Sequence, residues 1–213
     1  IVAGNTVVFK PASNTSLISV KLMELLIESG VPAGVVNMVT GPGAVIGEEL
    51  ANNPDIAGIS FTGSSEVGLA LGKAVSSRGG KMQAEMGGKN PAIILEDADL
   101  EFAVDCIVSS GFLDNGQRCT GTSRVIVLPG VAEKVKRLLV ARAKALKVGN
   151  GFDPQNDNGP VVDQNQLDTY LYYVNKGIEE GAVLECGGRR LTENGLDKGY
   201  FVAPTVFSGV TPD

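Results

Sequence analysis

Apolar and polar positions along this chain alternate between two periods. Thr6-Val7-Val8-Phe9-Lys10 is a short β-branched run stopped by Pro11, which reads as a buried strand. Ser16 to Ser29 carries Leu17, Val20, Leu22, Leu25 and Leu26 at helical spacing and is stopped by Gly30 and Pro32, so a helix with an apolar face is expected. A strand at Val35 to Val39, a helix at Val45 to Ala51, a strand at Gly58 to Thr62, a helix at Glu66 to Ser76 and a short strand at Met82 to Glu85 follow. Strands alternating with helices predict a parallel, doubly wound sheet. Ligands bind such sheets at the carboxyl ends of the strands, where Lys10, Thr40-Gly41, Thr62-Gly63 and Glu85 fall.

The rhythm restarts after Gly87-Gly88, which sets a boundary between residues 1–86 and 87–213. The second stretch predicts a strand at Pro91 to Leu95 and a helix at Leu100 to Leu113 capped by Asp99. A strand at Ser123 to Leu128, a helix at Val131 to Leu146, a polar loop at Gly149 to Pro160 and a helix at Gln164 to Glu180 come next. A strand at Ala182 to Glu185, a polar hairpin at Gly187 to Gly199 and a strand at Phe201 to Phe207 complete this second α/β unit.

Composition narrows the chemistry. The 213 residues hold 24 Asp+Glu against 18 Lys+Arg and no His. An acidic chain without a basic stripe is not built to release phosphate counterions, so nucleic acid is not an expected partner. Without His, acid–base work falls to a carboxylate, Lys or Tyr. Three cysteines with no CxxC pair give neither a disulfide framework nor a zinc site, and no metal is expected. No apolar run approaches the ~20 residues of a membrane span. A reducing cytoplasm is the expected compartment. The chain opens at Ile1 and stops at Asp213 just past a strand-like run, and is read as a piece of a longer protein.

Each reactive position has two readings. Cys119 lies among small and polar residues in Asp114-Asn115-Gly116-Gln117-Arg118-Cys119-Thr120-Gly121, as an exposed activated thiol or an incidental loop Cys. Cys106 sits in an apolar run and, with Cys186, reads as structural. Glu85 beside Met86-Gly87-Gly88 is a desolvated general base or a surface strand end. Gly63-Ser64-Ser65-Glu66-Val67-Gly68 follows a strand and opens a helix, as a phosphate cradle or an ordinary capped turn. Lys10 is a ribose contact or a solvated cation.

Taken in order, the motifs resemble those of the aldehyde dehydrogenase superfamily. The matches are Gly4-Asn5-Thr6-Val7-Val8-Phe9-Lys10-Pro11, Phe61-Thr62-Gly63-Ser64-Ser65-Glu66-Val67-Gly68, Glu85-Met86-Gly87-Gly88-Lys89-Asn90-Pro91, Gly116-Gln117-Arg118-Cys119, Gly159-Pro160 and Gly199 to Phe207. The resemblance implies a partial Rossmann-like parallel sheet in a dinucleotide-binding domain (1–86), followed by an α/β catalytic domain (87–213). It implies Cys119 as nucleophile toward an aldehyde and Glu85 as base for hydrolysis of the thioester. The backbone N–H of Cys119 becomes half of an oxyanion hole. NAD or NADP is implied as cofactor, with Lys10, Ser13, Gly63, Ser64, Val67 and Gly87 as its contacts. A small-molecule aldehyde is the implied partner, and a homo-oligomer the implied state of the full-length protein. Relatives carry a Pro-Trp-Asn segment upstream and a Glu-Glu-Ile-Phe-Gly-Pro segment downstream that this sequence lacks, so the 213 residues alone are expected to be inactive.

Two alternatives remain beside hydrolytic oxidation. A CoA-acylating relative generally lacks the base at Glu85, and a non-catalytic nucleotide-binding module would not need both Cys119 and Glu85. Many NAD-preferring relatives carry Glu in place of Ser13 after Lys-Pro-Ala. A neutral Ser13 removes a carboxylate that would repel a 2′-phosphate, so use of both cofactors is expected first and NADP preference second. Arg118, where many relatives are uncharged, hints at a polar or acidic aldehyde such as a semialdehyde.

Overall fold

The computed structural model describes residues 1–211 and divides into two compact units, Ile1–Met86 and the residues from Gly87 onward. The first holds β1 (Val7–Phe9), α1 (Ser16–Glu28), β2 (Val36–Met38), α2 (Gly43–Asn52), β3 (Gly58–Gly63), α3 (Ser65–Ser77) and β4 (Lys81–Met86). Among the described residues its strands pair as two parallel ribbons, β1 with β2 and β3 with β4, instead of one four-stranded sheet.

The β3–β4 ribbon is the better ordered by sequence. Along β4, Met82, Ala84 and Met86 are half-buried while Lys81, Gln83 and Glu85 are exposed, the period of two that a one-sided strand requires. Ser64 caps α3, its hydroxyl accepting from the Val67 amide at 3.3 Å. A Cβ on Gly68 would lie 2.6 Å from Met86 Sδ and 3.2 Å from the Phe61 ring, so a larger residue there would have to displace the Met86 side chain at the end of β4. The expected apolar face of α1 stays uncovered within the unit. Leu17, Leu22 and Leu25 are exposed, and the one buried residue of the helix is Ser19. Two three-residue strands offer too narrow a surface to cover it.

The second unit holds β5 (Asn90–Ile94), α4 (Leu100–Gly111), β6 (Thr122–Val127), α5 (Pro129–Ala145), α6 (Gln164–Glu179), β7 (Val183–Cys186) and β8 (Val206–Ser208). β5 and β6 are parallel, and β7 and β8 antiparallel. Ile94, Val104, Ile107, Val135, Leu139, Ala143, Cys186 and Val206 form the main core, and Val161, Leu167 and Val202 a smaller one. Asp99 and Asp163 cap α4 and α6 by accepting from the amides of Phe102 and Gln166.

Three expectations change here. Residues 187–199 form no hairpin; a 3-10 segment, Glu193–Lys198, turns through Asn194 and Gly195 at positive φ. The last strand is only Val206–Ser208, with Val202 making an isolated bridge to Arg190, because Pro204 has no amide to continue a ladder. Cys106 is exposed. Val104 and Ile107 supply the buried positions of α4, and at 3.6 residues per turn Cys106 points away from them.

Candidate active site

The loop that carries Cys119 is built by close backbone approach. α4 ends at Gly111, where a Cβ would lie 2.7 Å from the Thr122 carbonyl oxygen. The chain then reverses through Asp114, Asn115 and Gly116 at φ 56°, 55° and 65°. Two consecutive non-glycine residues in the left-handed region are uncommon, and Asp and Asn are among the few that tolerate it.

Hydrogen bonds from outside the loop hold this conformation. Asn115 Nδ2 donates to the Pro160 carbonyl at 3.1 Å, and the Gln117 side-chain oxygen accepts from the Val162 amide at 3.3 Å. Ser110 Oγ accepts from the Thr122 amide at 3.1 Å. The most direct support comes from β5. Asn90 Nδ2 donates to the carbonyls of Cys119 at 2.7 Å and Gly121 at 3.0 Å. Both residues flanking Thr120 are thereby tied to a strand. Cys119 itself is exposed, and among the described residues its amide N–H has no acceptor. An accessible thiol beside an unpaired donor is an arrangement that can bind a carbonyl and the oxyanion it becomes.

The remaining predicted site residues lie in the first unit, except Gly87, which opens the second. In the parallel register of β3 and β4, Thr62 pairs with Glu85 and Gly63 with Met86. Glu85 therefore stands at the same strand ends from which Gly63 and Ser64 lead into α3. Glu85 is exposed, so of its two readings the unit shows the surface strand end and not the desolvated carboxylate. Its carboxylate accepts from Gln83 Nε2 at 3.0 Å, and Gln83 accepts from Ser60 Oγ at 2.8 Å, a relay along one face that fixes the carboxylate's direction. Among the described residues the first-turn amides of Ser65 and Glu66 have no acceptor, and Val67 is exposed beside them. Lys10 follows β1 in the other ribbon, and among the described residues its ammonium donates only to the adjacent Pro11 carbonyl at 2.7 Å. Ser13 is exposed; its carbonyl accepts from Ser16 Oγ at 3.0 Å, and its hydroxyl caps no helix. Gly87 is exposed with open space around its Cβ position.

Asn90, Asn115, Gln117 and Gln83 were not singled out from the sequence. Only the Asp114-Asn115-Gly116 triplet signals a left-handed turn in one dimension. Among the described residues no group of three or more His, Cys, Asp or Glu side chains could hold a metal ion, and no helix is long and apolar enough to cross a membrane.

Comparison with known proteins decides the family. The aldehyde dehydrogenase family pattern matches residues 1–213. The chain belongs to the aldehyde dehydrogenase family. It is 45% identical over 213 residues to alpha-ketoglutaric semialdehyde dehydrogenase of Bacillus subtilis (strain 168), covering all of this chain and 44% of that protein. It is 45% identical over 209 residues to human retinaldehyde dehydrogenase 3, covering 98% of this chain and 40% of that protein. Betaine aldehyde dehydrogenase of Staphylococcus aureus, solved with NAD+, superposes with TM-score 0.93 at 34% identity over 97% of this chain and 42% of its own. Aldehyde dehydrogenase C of Pseudomonas syringae, a cysteine-to-alanine variant with NAD+ and octanal, superposes with TM-score 0.92 at 35% identity over the same shares. The chain thus spans less than half the length of the relatives it matches.

The geometry separates the three cysteines. Burial pushes the Cys186 thiol up from its ordinary value, which disfavours the reactive thiolate. Iodoacetamide at neutral pH is expected to alkylate Cys119 and Cys106 in the native chain and to spare Cys186, as read by peptide mass mapping. Alkylation of Cys186 as fast as Cys119 would contradict the described packing.

Proposed function

We propose that the whole enzyme, meaning this chain together with the remaining length its relatives have, oxidises an aldehyde to a carboxylate with NAD or NADP. The observation that carries this reading is Cys119 held accessible on a loop tied at both sides by Asn90, with its own amide unpaired. The relatives range from an alpha-ketoglutaric semialdehyde dehydrogenase to a retinaldehyde dehydrogenase, and an aldehyde is the substrate class they share.

The Cys119 thiolate adds to the aldehyde carbonyl carbon, forming a C–S bond and an alkoxide. The Cys119 amide donates to that oxygen. The bound nicotinamide supplies one piece of chemistry, acceptance of the hydride from the thiohemiacetal carbon. Cys119 then holds a thioester, which is labile enough to hydrolyse. Glu85 takes a proton from a water whose oxygen attacks the thioester carbon, the Cys119–carbon bond breaks to release the acid and the Cys119 thiolate, and Glu85 returns its proton to solvent. Gln83 keeps the Glu85 carboxylate oriented through the 3.0 Å bond.

The first unit fits a dinucleotide. The unpaired amides and positive end of α3 suit a pyrophosphate, with Gly63, Ser64 and Val67 around it and Gly87 beyond the end of β4. Lys10 has a cation free to turn from its neighbour's carbonyl toward a ribose or its phosphate. Ser13 presents an exposed hydroxyl that caps no helix among the described residues, and no carboxylate stands in its place to repel a 2′-phosphate. Oxidation with water as acyl acceptor is favoured over transfer to CoA because Glu85 is present and oriented.

Glu85→Gln in the whole enzyme is expected to give a rapid burst of one reduced cofactor per site, then turnover slowed by about 10²-fold or more, because acylation proceeds and deacylation stalls. Steady-state turnover equal to wild type would remove Glu85 from the mechanism. Ser13→Glu is expected to lower the kcat/KM ratio of NADP to NAD by about tenfold or more, from the added like charge beside the 2′-phosphate. A ratio that does not move assigns cofactor choice to other residues.

A further inference from the structure

We propose that Asn90 and Arg124 are positioning residues for carbonyl addition at Cys119: Arg124 holds the peptide that leads into Asn90, and Asn90 holds the turn that aims the Cys119 amide. This rests on the reading of Cys119 as nucleophile and adds two residues that act on it from β5 and β6.

Residues 118–121 form a β-turn, with the Gly121 amide donating to the Arg118 carbonyl at 3.1 Å. Neither Cys119 nor Thr120 has a positive φ, so the turn is of type I and not type II. The Arg118 carbonyl faces into the turn. The Cys119 N–H belongs to the same planar trans peptide and faces the opposite way, out of it. The tilt of the turn therefore sets the direction of the donor that meets an oxyanion. Asn90 controls that tilt, because both hydrogens of its one Nδ2 are used on the turn, one on the Cys119 carbonyl and one on the Gly121 carbonyl.

Asn90 itself stands at a weak point of the sheet. It pairs with Thr122, but the register shifts before Pro91, which pairs with Arg124 and skips Ser123. Pro91 has no amide to repair the ladder. Arg124 supplies the missing hold from β6. Its Nε and Nη2 donate to the Lys89 carbonyl at 3.0 and 2.6 Å, and that carbonyl shares a peptide with the Asn90 nitrogen. The contacts close a ring. Covalent chain runs from Cys119 through the turn to Arg124, two hydrogen bonds cross to Lys89, and Asn90 returns to Cys119. A turn held from one side can pivot, whereas a turn inside a closed ring cannot.

Addition to a carbonyl needs the Cys119 sulfur and the Cys119 amide at one group at the same moment. Opening the ring leaves the exposed thiol within reach of reagents but lets the donor swing off line. The loss falls on the transition state, where the oxyanion develops, and not on access to sulfur.

The test uses the whole enzyme and two reagents that meet the same sulfur, each followed by the mass of the Cys119 peptide. 4-Nitrophenyl acetate acylates the thiolate through a tetrahedral oxyanion and releases 4-nitrophenolate. Iodoacetamide alkylates it by displacing iodide from a saturated carbon, and no oxyanion forms. Asn90→Leu, similar in shape and without a donor, should slow acylation by about 10²-fold at saturating ester, with KM little changed. Its alkylation should change by less than about threefold, since that step does not use the amide. Arg124→Gln should slow acylation by about tenfold and Arg124→Lys by less, because Lys keeps one donor for the Lys89 carbonyl. Both residues act along one path, so adding Arg124→Gln to Asn90→Leu should slow acylation no further. Acylation unmoved in Asn90→Leu, or alkylation slowed as much as acylation, overturns the proposal. A double variant slowed by the product of the single effects overturns the relay through Arg124. Should Asn90→Leu fail to fold, Arg124→Gln, which leaves the bonds of the turn in place, carries the same comparison. A wild type that acylates Cys119 from the ester but oxidises no aldehyde with either cofactor overturns aldehyde oxidation, and the ester then decides the positioning roles alone. A wild type in which neither reagent modifies Cys119 overturns both.

Discussion

The catalytic reading depends on one side chain more than any other, the Asn90 amide. It donates from the start of β5 to the carbonyls on both sides of Thr120. The Cys119 loop carries a standing cost, since Asp114 and Asn115 both occupy the left-handed region at up to ~1–3 kcal/mol each. Net gains of roughly 0.5–1.5 kcal/mol per hydrogen bond mean that no single contact offsets this. The bonds from Asn90, Asn115, Gln117 and Ser110 together are of the right size to do so. The loop is therefore held by its surroundings rather than by its own preference. That is the condition under which an accessible thiol keeps one direction.

The first unit solves a different problem with the same economy. A parallel register places Glu85 opposite Thr62, at the strand ends where the chain turns into α3. Alternation along β4 turns Met82, Ala84 and Met86 inward and leaves Glu85 outward with Gln83. Gly68 allows α3 to pack directly on Met86. The helix's unpaired amides and the Glu85 carboxylate thus share the end of one strand pair. A pattern that serves packing also sets an outward carboxylate beside a helix N-terminus, the two groups to which the proposed function gives the roles of base and anion cradle.

Elements with a clear period and a chemical boundary were legible in the sequence. Ser64 and Asp99 cap α3 and α4, and the strands β3 through β6 lie where β-branched and apolar runs placed them. The ordered motifs identified the family. What stayed hidden depends on contacts distant along the chain. Asn90 and Cys119 are separated by 29 positions, and nothing in Gly-Lys-Asn-Pro announces which carbonyls an amide will meet. Cys106 looked interior because its neighbours are apolar, yet the phase set by Val104 and Ile107 turns it outward. The apolar stripe of α1 was read correctly as a stripe, but whether a stripe is buried depends on what faces it. The exposure of Glu85 is of the same kind, since burial belongs to the surroundings and not to the residue.

The central claim is that substrate becomes covalently attached to Cys119. It is tested most directly by mixing the whole enzyme with aldehyde and NAD+, quenching in acid during turnover and mapping acyl masses onto the digested peptides. The account predicts an acyl adduct on the peptide that contains Cys119 and none on the peptide that contains Cys106. Turnover without an adduct on Cys119, or with the adduct on Cys106 instead, would contradict it.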